Sequence, residues 1–295
     1  MEQEALNFYK KAGKINAEIM KEVLGMIKPG VKLLEIAEFA EGIVEKKGAG
    51  LAFPVNTSLN EIAAHYVAGE GDSKTVGEGD LLKIDLGVEV EGYIADAAVT
   101  YCSEKNPLVR AAESAVSEAV KVIRPGVLVG DVSQAVEETV KGAGFGLIVN
   151  LTGHGLDRND FHAPPVIPMV ATGSKETLEE GQVIALEPFV TERNGHVKES
   201  APTEIFRFLQ ERPVRSPDAR KVLGIIKEEY QGFPFAKRWL CQELSLARAS
   251  IALRQLEAVQ AVETFPPLKD VSGQKIAQHE HTIIVSDPPI VTTKL

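Results

Sequence analysis

The stretch LLKIDLGVEVEGYIADAAVT, residues Leu81 to Thr100, decides the fold. Leu81–Val90 and Tyr93–Thr100 read as two strands around Glu91-Gly92, and a two-residue turn there sets Val90 opposite Tyr93. Asp96 then faces Gly87. Side chains alternate along a strand, so Asp85 and Gly87 share a face and the two aspartates become diagonal neighbours roughly 7 Å apart. The placement depends on register, because a slip of one residue would put them on opposite faces. An unpaired carboxylate in so apolar a strand costs several kcal/mol, so Asp85, which follows Leu81, Leu82 and Ile84, needs a buried counter-charge.

Three more residues share that predicament. His154 lies in NLTGHG among small residues that let backbone or substrate approach, Glu187 lies in VIALEPFV on a strand, and Glu280 starts the apolar strand HTIIV. Borderline divalent metals favour mixed imidazole and carboxylate shells. Asp85, Asp96, Glu187 and Glu280 bring four negative charges, which two divalent cations neutralise. The expectation is therefore a two-metal centre with His154 as its imidazole.

Outward from the hairpin, the chain repeats itself. KPGVKLLEIAEFAEGIVEKKGAGLAFPVN (Lys28–Asn56) resembles RPGVLVGDVSQAVEETVKGAGFGLIVN (Arg124–Asn150), and EGDLLKID (Glu78–Asp85) matches EGQVIALE (Glu180–Glu187) with an acid in the same place. A period of roughly 95 to 105 residues is too long for a solenoid. It implies two copies of one unit related by a pseudo-twofold axis. In the first copy Leu33, Ile36, Ala37, Ala40, Ile43 and Val44 recur at helical spacing until Gly48 and Gly50 stop the helix. Glu4–Ile27 and Pro107–Ile123 read as the preceding helices. The fold class is α+β, with outer helices on a curved, mainly antiparallel sheet. Residues 214–269 break the pattern and read as an inserted helical subdomain, leaving 1–213 and 270–295 as the catalytic domain. The end, HEHTIIVSDPPIVTTKL, reads as a hairpin turning at Asp287-Pro288-Pro289. On that strand His279 and His281 point away from Glu280.

Composition bounds the rest. With 295 residues, 44% of them hydrophobic, the chain suits a globular core, and no window approaches the eighteen or so apolar residues of a membrane span. MEQEALNFYKKAGK reads as a polar helix and not as a signal peptide, so a cytoplasmic protein is expected. Cys102 and Cys241 lack metal or disulfide spacing. A net charge of −10 argues against a nucleic-acid surface, and the densest basic run, Lys221–Arg238, is interspersed with Glu228 and Glu229 like a solvated helix face. Phosphate-loop, HExxH and GxSxG motifs are absent.

In order along the chain, GLAFPVNTSLNEIAAHY, LLKIDLGVEVEGYIADAAVT, NLTGHGLDRNDFHA, VIALEPFV, ESAPTEIF and QHEHTIIV resemble the signature segments of the type II methionine aminopeptidases, in their short archaeal form. The likeness covers nearly the whole chain. It departs from the family at the second position of DAAVT and at His279, and neither removes a ligand. The resemblance implies the pita-bread (creatinase/aminopeptidase) fold, with the helical insertion that separates type II from type I. It also implies two divalent ions (cobalt, manganese, iron or zinc) at Asp85, Asp96, His154, Glu187 and Glu280.

The implied reaction is removal of the initiator methionine from nascent polypeptide N-termini, at or away from the ribosome, with a preference for a small second residue. A metal-bridging hydroxide attacks the carbonyl, Glu187 shuttles the proton, and His65 and His162 contact substrate and stabilise the oxyanion. Phe53 is the expected wall of the methionine pocket, though ordinary core packing would account for it equally well. The expected partners exclude membranes, and the expected state is a monomer. Two rivals stand beside this reading. An Xaa-Pro aminopeptidase or dipeptidase of the same fold usually carries an extra N-terminal domain, for which residues 1–27 leave no room. A binding-only homologue is expected to have lost ligands that this chain keeps.

Overall fold

A computed structural model describes all 295 residues. Four helices, α1 (Gln3–Met26), α2 (Leu33–Lys46), α3 (Pro107–Val120) and α4 (Val129–Gly142), pack outside the strands. In α2 the six apolar positions that set the helical period are all buried. Helix α3 starts where Asn106 caps it, its side chain accepting from the Leu108 N–H, with Pro107 in the first turn where its missing donor costs nothing.

The two copies fold alike down to single hydrogen bonds. In the first, the Gly30 N–H donates to the Val76 carbonyl, the Val76 N–H to Val31, and the Leu33 N–H to Lys74. In the second, Gly126 donates to Leu178, Leu178 to Val127, and Val129 to Glu176. Gly30 and Gly126 both sit at positive φ, at 94° and 82°, where a side chain would be strained. Each copy closes its own core, one of α1, α2 and the first hairpin, the other of α3, α4 and the strands behind them.

The first hairpin, Leu82–Val90 with Tyr93–Tyr101, holds the expected register. Val90 pairs with Tyr93, Gly87 with Asp96 and Asp85 with Ala98. Glu91 and Gly92 both take positive φ, 54° and 83°, the signature of a type I′ turn whose twist matches the strands. Buried Asn16 of α1 donates to the carbonyls of Leu86 (2.5 Å) and Ala95 (3.2 Å), so one helix side chain holds both strands beside the aspartates.

Named strands pair antiparallel throughout. In the second copy, Thr152–Asp157 pairs with Asp160–Pro168 and with Val183–Leu186, which in turn pairs with His281–Ile284. Beyond it Phe189–Thr191 pairs with Ile276–Gln278. Glu187, expected on a strand, lies instead in the break between Leu186 and Phe189, where Pro188 has no N–H to continue a ladder. Its counterpart break holds His279 and Glu280. The first copy joins its two strands by a two-residue turn, whereas the second opens at the same place to admit residues 192–275.

That insertion is not helical to its end. Helices α5 (Pro217–Glu229) and α6 (Leu246–Ala258) flank a short 3₁₀ segment, Lys237–Gln242, and together with Phe206 and Phe235 they form a third core. Val262–Phe265 then pairs with Ile205–Phe208, and Leu268–Asp270 pairs with Ile62–Ala64 and Val197–Glu199. The helix ends at Ala258, Gln260 just past its cap takes a φ of 57°, and the β-formers Val262, Thr264 and Phe265 follow. The terminal hairpin forms as expected, Ile284 pairing with Ile290 across Asp287-Pro288-Pro289.

Two glycines of α1 should respond oppositely to alanine. A Cβ on Gly13 would collide with the backbone of Thr292, whereas one on Gly25 meets nothing within 4 Å. Helix propensity favours either change by about 1 kcal/mol, but overpacking against backbone costs about 1–3 kcal/mol. Chemical denaturation should therefore show Gly25→Ala gaining up to about 1 kcal/mol and Gly13→Ala losing about that much or more.

Candidate metal centre

All eight residues singled out in the sequence line one cavity of about 540 Å³: Phe53, His65, Asp85, Asp96, His154, His162, Glu187 and Glu280. A larger hollow of about 810 Å³ between α2 and the insertion holds many glutamates but no histidine and no aspartate, so size alone does not mark the chemistry. The first hairpin supplies Asp85 and Asp96, the strand Thr152–Asp157 supplies His154, and the two facing strand breaks supply Glu187 and Glu280. Ligand atoms of Asp96, His154 and Glu280 lie within 4.8 Å of one another. His154 Nε2 is 3.2 Å from Glu187 Oε1 and 3.9 Å from Asp96 Oδ2.

Residues that the sequence reading passed over hold this cluster in place. The Thr282 hydroxyl accepts from the Asp96 N–H and donates to the Asp96 carbonyl, both at 2.7 Å. Thr100 does the same for the backbone of Gln278, at 2.8 and 2.7 Å. Each copy thus clasps a strand of the other by one hydroxyl. The buried Gln278 amide reaches Glu187 Oε2 (3.4 Å) and Glu280 Oε2 (3.3 Å), bridging the two glutamates. Asn56, which pairs with Asp85, and Asn150 also line the cavity. They are the matching last residues of the repeated segment, and that correspondence was the available signal.

No lysine or arginine forms an ion pair with any of the four acids, and Asp85 Oδ1, Asp96 Oδ1 and Glu280 Oε1 are buried with no hydrogen-bond partner. Burial, and then the Glu187 charge, pushes Asp85 up to about 7. Burial and their acid neighbours likewise raise Asp96 and Glu280 well above the carboxylate range. Burial works against a charged His154, yet Glu187 beside it outweighs that and holds the imidazole above its ordinary value. Oxygen-rich donors, one imidazole and unanswered negative charge fit divalent cations of the borderline kind.

Two more imidazoles flank the cluster. The His65 ring meets Phe265 edge-on at 5.8 Å, and burial drives it down to about 4. Its φ of 62° is rare for a residue with a side chain, and such strain gathers at functional sites. His162 packs against the His154 ring at 4.5 Å. Burial first, then His154, His65 and Arg207, lower it to about 3. Both are neutral near pH 7, able to donate one N–H without opposing a cation.

The raised acids tie stability to pH. Asp85 titrates near 3.8 when unfolded and near 7 when folded without metal, so between those values the folded state holds the extra proton and stability falls as pH rises. Below pH 6.5 the buried neutral His65 and His162 act in the opposite sense, so the acid contribution is read as a difference between variants. In thermal unfolding of chelator-treated protein, Asp85→Asn should raise the midpoint over wild type more at pH 7 than at pH 4. Adding manganese or cobalt to wild type should raise its midpoint most at pH 7. An Asp85→Asn gain that does not grow between pH 4 and pH 7 would contradict the electrostatic reading of the cluster.

Known proteins resemble this chain over nearly its whole length. A methionine aminopeptidase from Thermococcus onnurineus is 48% identical over 93% of this chain and 94% of its own. Among solved structures, a methionine aminopeptidase from Thermotoga maritima superposes with a TM-score of 0.71 at 26% identity, over 100% of this chain and 98% of that one. A thermophilic Arx1 superposes at 0.86, over 99% and 91%, with only 17% identity, a likeness of fold. The family model of the M24 metallopeptidases matches from residue 7 to residue 287, through both copies and the break that admits the insertion, and the chain belongs to metallopeptidase family M24.

Proposed function

We propose that this chain removes the initiator methionine from nascent polypeptides, with Asp85, Asp96, His154, Glu187 and Glu280 holding two divalent cations at the cavity floor. The observation that carries this is the convergence of four carboxylates, Asp96 and Glu280 buried and Asp85 and Glu187 half-buried, with one imidazole and no lysine or arginine to balance them, in the cavity that also holds His65, His162 and Phe53. Divalent cations bound there acidify a water molecule and polarise the scissile carbonyl, and cobalt, manganese, iron and zinc all suit such donors.

The remaining work falls to the side chains. Glu187 takes the proton of the attacking water and passes it to the leaving amine; one of its oxygens is steadied by the Gln278 amide while the other faces His154. His65 and His162, neutral, donate to the carbonyl oxygen as its charge develops. Phe53 walls the side-chain pocket together with Phe161 and Phe265. Its ring occupies the space that a Cβ on Gly87 would fill, so the residue opposite Asp96 must be small. An apolar slot bounded by aromatic rings fits a flexible thioether chain. One chain completes the cavity, which supports action as a monomer, and nascent chains put the reaction in the cytoplasm. No helix is long and apolar enough to cross a membrane.

Metal-loaded protein should release methionine from Met-Ala-Ser and nothing from Ala-Pro peptides. Asp85→Ala should abolish release. Glu187→Gln should lower kcat by about 10²–10⁴. Alanine release from Ala-Pro would promote an Xaa-Pro peptidase instead, and activity that survives chelation would remove the metals from the mechanism.

A further inference from the structure

Arg207 lies on the insertion's boundary strand Ile205–Phe208 and is not among the ligands, the two flanking histidines or the pocket wall. Its guanidinium carbon stands 5.2 Å from the centre of the Phe161 ring and 5.8 Å from that of Phe265, two rings that line the cavity 6.1 Å apart. Glu263, its cross-strand partner, accepts from Nε at 3.0 Å and from a terminal nitrogen at 2.5 Å through one carboxylate oxygen. The same ladder pairs Ile205 with Phe265, so the ion pair and the pocket ring lie two rungs apart, on the same face of it.

We infer that Arg207, held by Glu263, is a specificity-determining residue: a planar cation laid across Phe161 and Phe265 fixes the width of the apolar slot that receives the first side chain of the substrate. This rests on the proposed aminopeptidase reading of the cavity. An exposed ion pair contributes little stability, and this one is partly exposed, so its effect lies in orientation. A guanidinium can stack on aromatic faces while its edge donates to a carboxylate, which an ammonium cannot do. The two rings are also the neighbours of both flanking imidazoles. Phe161 packs against His162 at 4.5 Å and Phe265 against His65 at 5.8 Å. Releasing Phe161 and Phe265 on the side away from the histidines would widen the slot while each imidazole keeps its place beside the cluster.

The test compares wild type, Arg207→Ala, Arg207→Lys and Glu263→Gln, all manganese-loaded, on Met-Ala-Ser, Leu-Ala-Ser and Phe-Ala-Ser, with free methionine binding measured by calorimetry. Arg207→Ala should raise KM for the methionine peptide and weaken methionine binding by about tenfold. Its preference for methionine over leucine and phenylalanine should shrink by a similar factor, with kcat and manganese affinity changed much less. Arg207→Lys, which keeps charge but loses the planar face, should behave like the alanine variant, and Glu263→Gln should fall between. Unchanged selectivity in Arg207→Ala, or full rescue by lysine, would overturn the inference. A wild type that neither cleaves nor binds methionine would instead overturn the functional reading, and the inference with it.

Discussion

Four carboxylates share a buried space with one imidazole and no lysine or arginine within ion-pair distance, and the rest of the molecule is arranged around that unanswered charge. Left alone, such a cluster protonates, because burial and mutual repulsion both disfavour the charged form. The fold must therefore hold the acids against their own repulsion. It does so with uncharged groups, the two threonine clasps, the Gln278 amide and the Asn16 side chain, each acting on backbone or on a carboxylate edge. Neutral donors position the acids without cancelling the charge that attracts a cation.

Much of this was legible in the chain because the signals were local. The register of the first hairpin follows from Glu91-Gly92, and with it the shared face of Asp85 and Asp96. The repeat of the Pro-Gly-Val segments announced two like halves, which the paired bonds at Gly30 and Gly126 realise. What the sequence hid was long-range. Thr282 meets Asp96 across 186 residues and Thr100 meets Gln278 across 178, and nothing in either local pattern distinguishes a clasping threonine from a strand-forming one. Glu187 could be recognised as an acid out of place, but the break that lets it turn into the cavity depends on the matching break at His279 and Glu280. The insertion was legible as an interruption of the repeat. Its return as strands is legible only in part: Val262, Thr264 and Phe265 are β-formers, whereas Leu268-Lys269-Asp270 carries no strand signal of its own and is set by its pairing with Ile62–Ala64 and Val197–Glu199.

Fold likeness and sequence likeness separate among the structural neighbours. The thermophilic Arx1 superposes more closely than the Thermotoga methionine aminopeptidase, yet shares fewer identical residues. Backbone shape reports the two copies and the insertion, which a protein can keep while its site changes. The placement of individual side chains carries the chemical argument, and here it is the meeting of acids, imidazoles and aromatic rings in one cavity.

The matching halves have a consequence for descent. Asp85 and Glu187 close the same repeated segment, one in each copy, and both face the cavity. Neither half brings enough donors to bind a pair of ions, and each braces the other through a hydroxyl. A precursor half this long could have owned such a site only by associating with a second molecule of itself. With both copies in one chain, each acid and each connecting loop can differ from its counterpart, as Asp85 differs from Glu187 and the two-residue turn from residues 192–275.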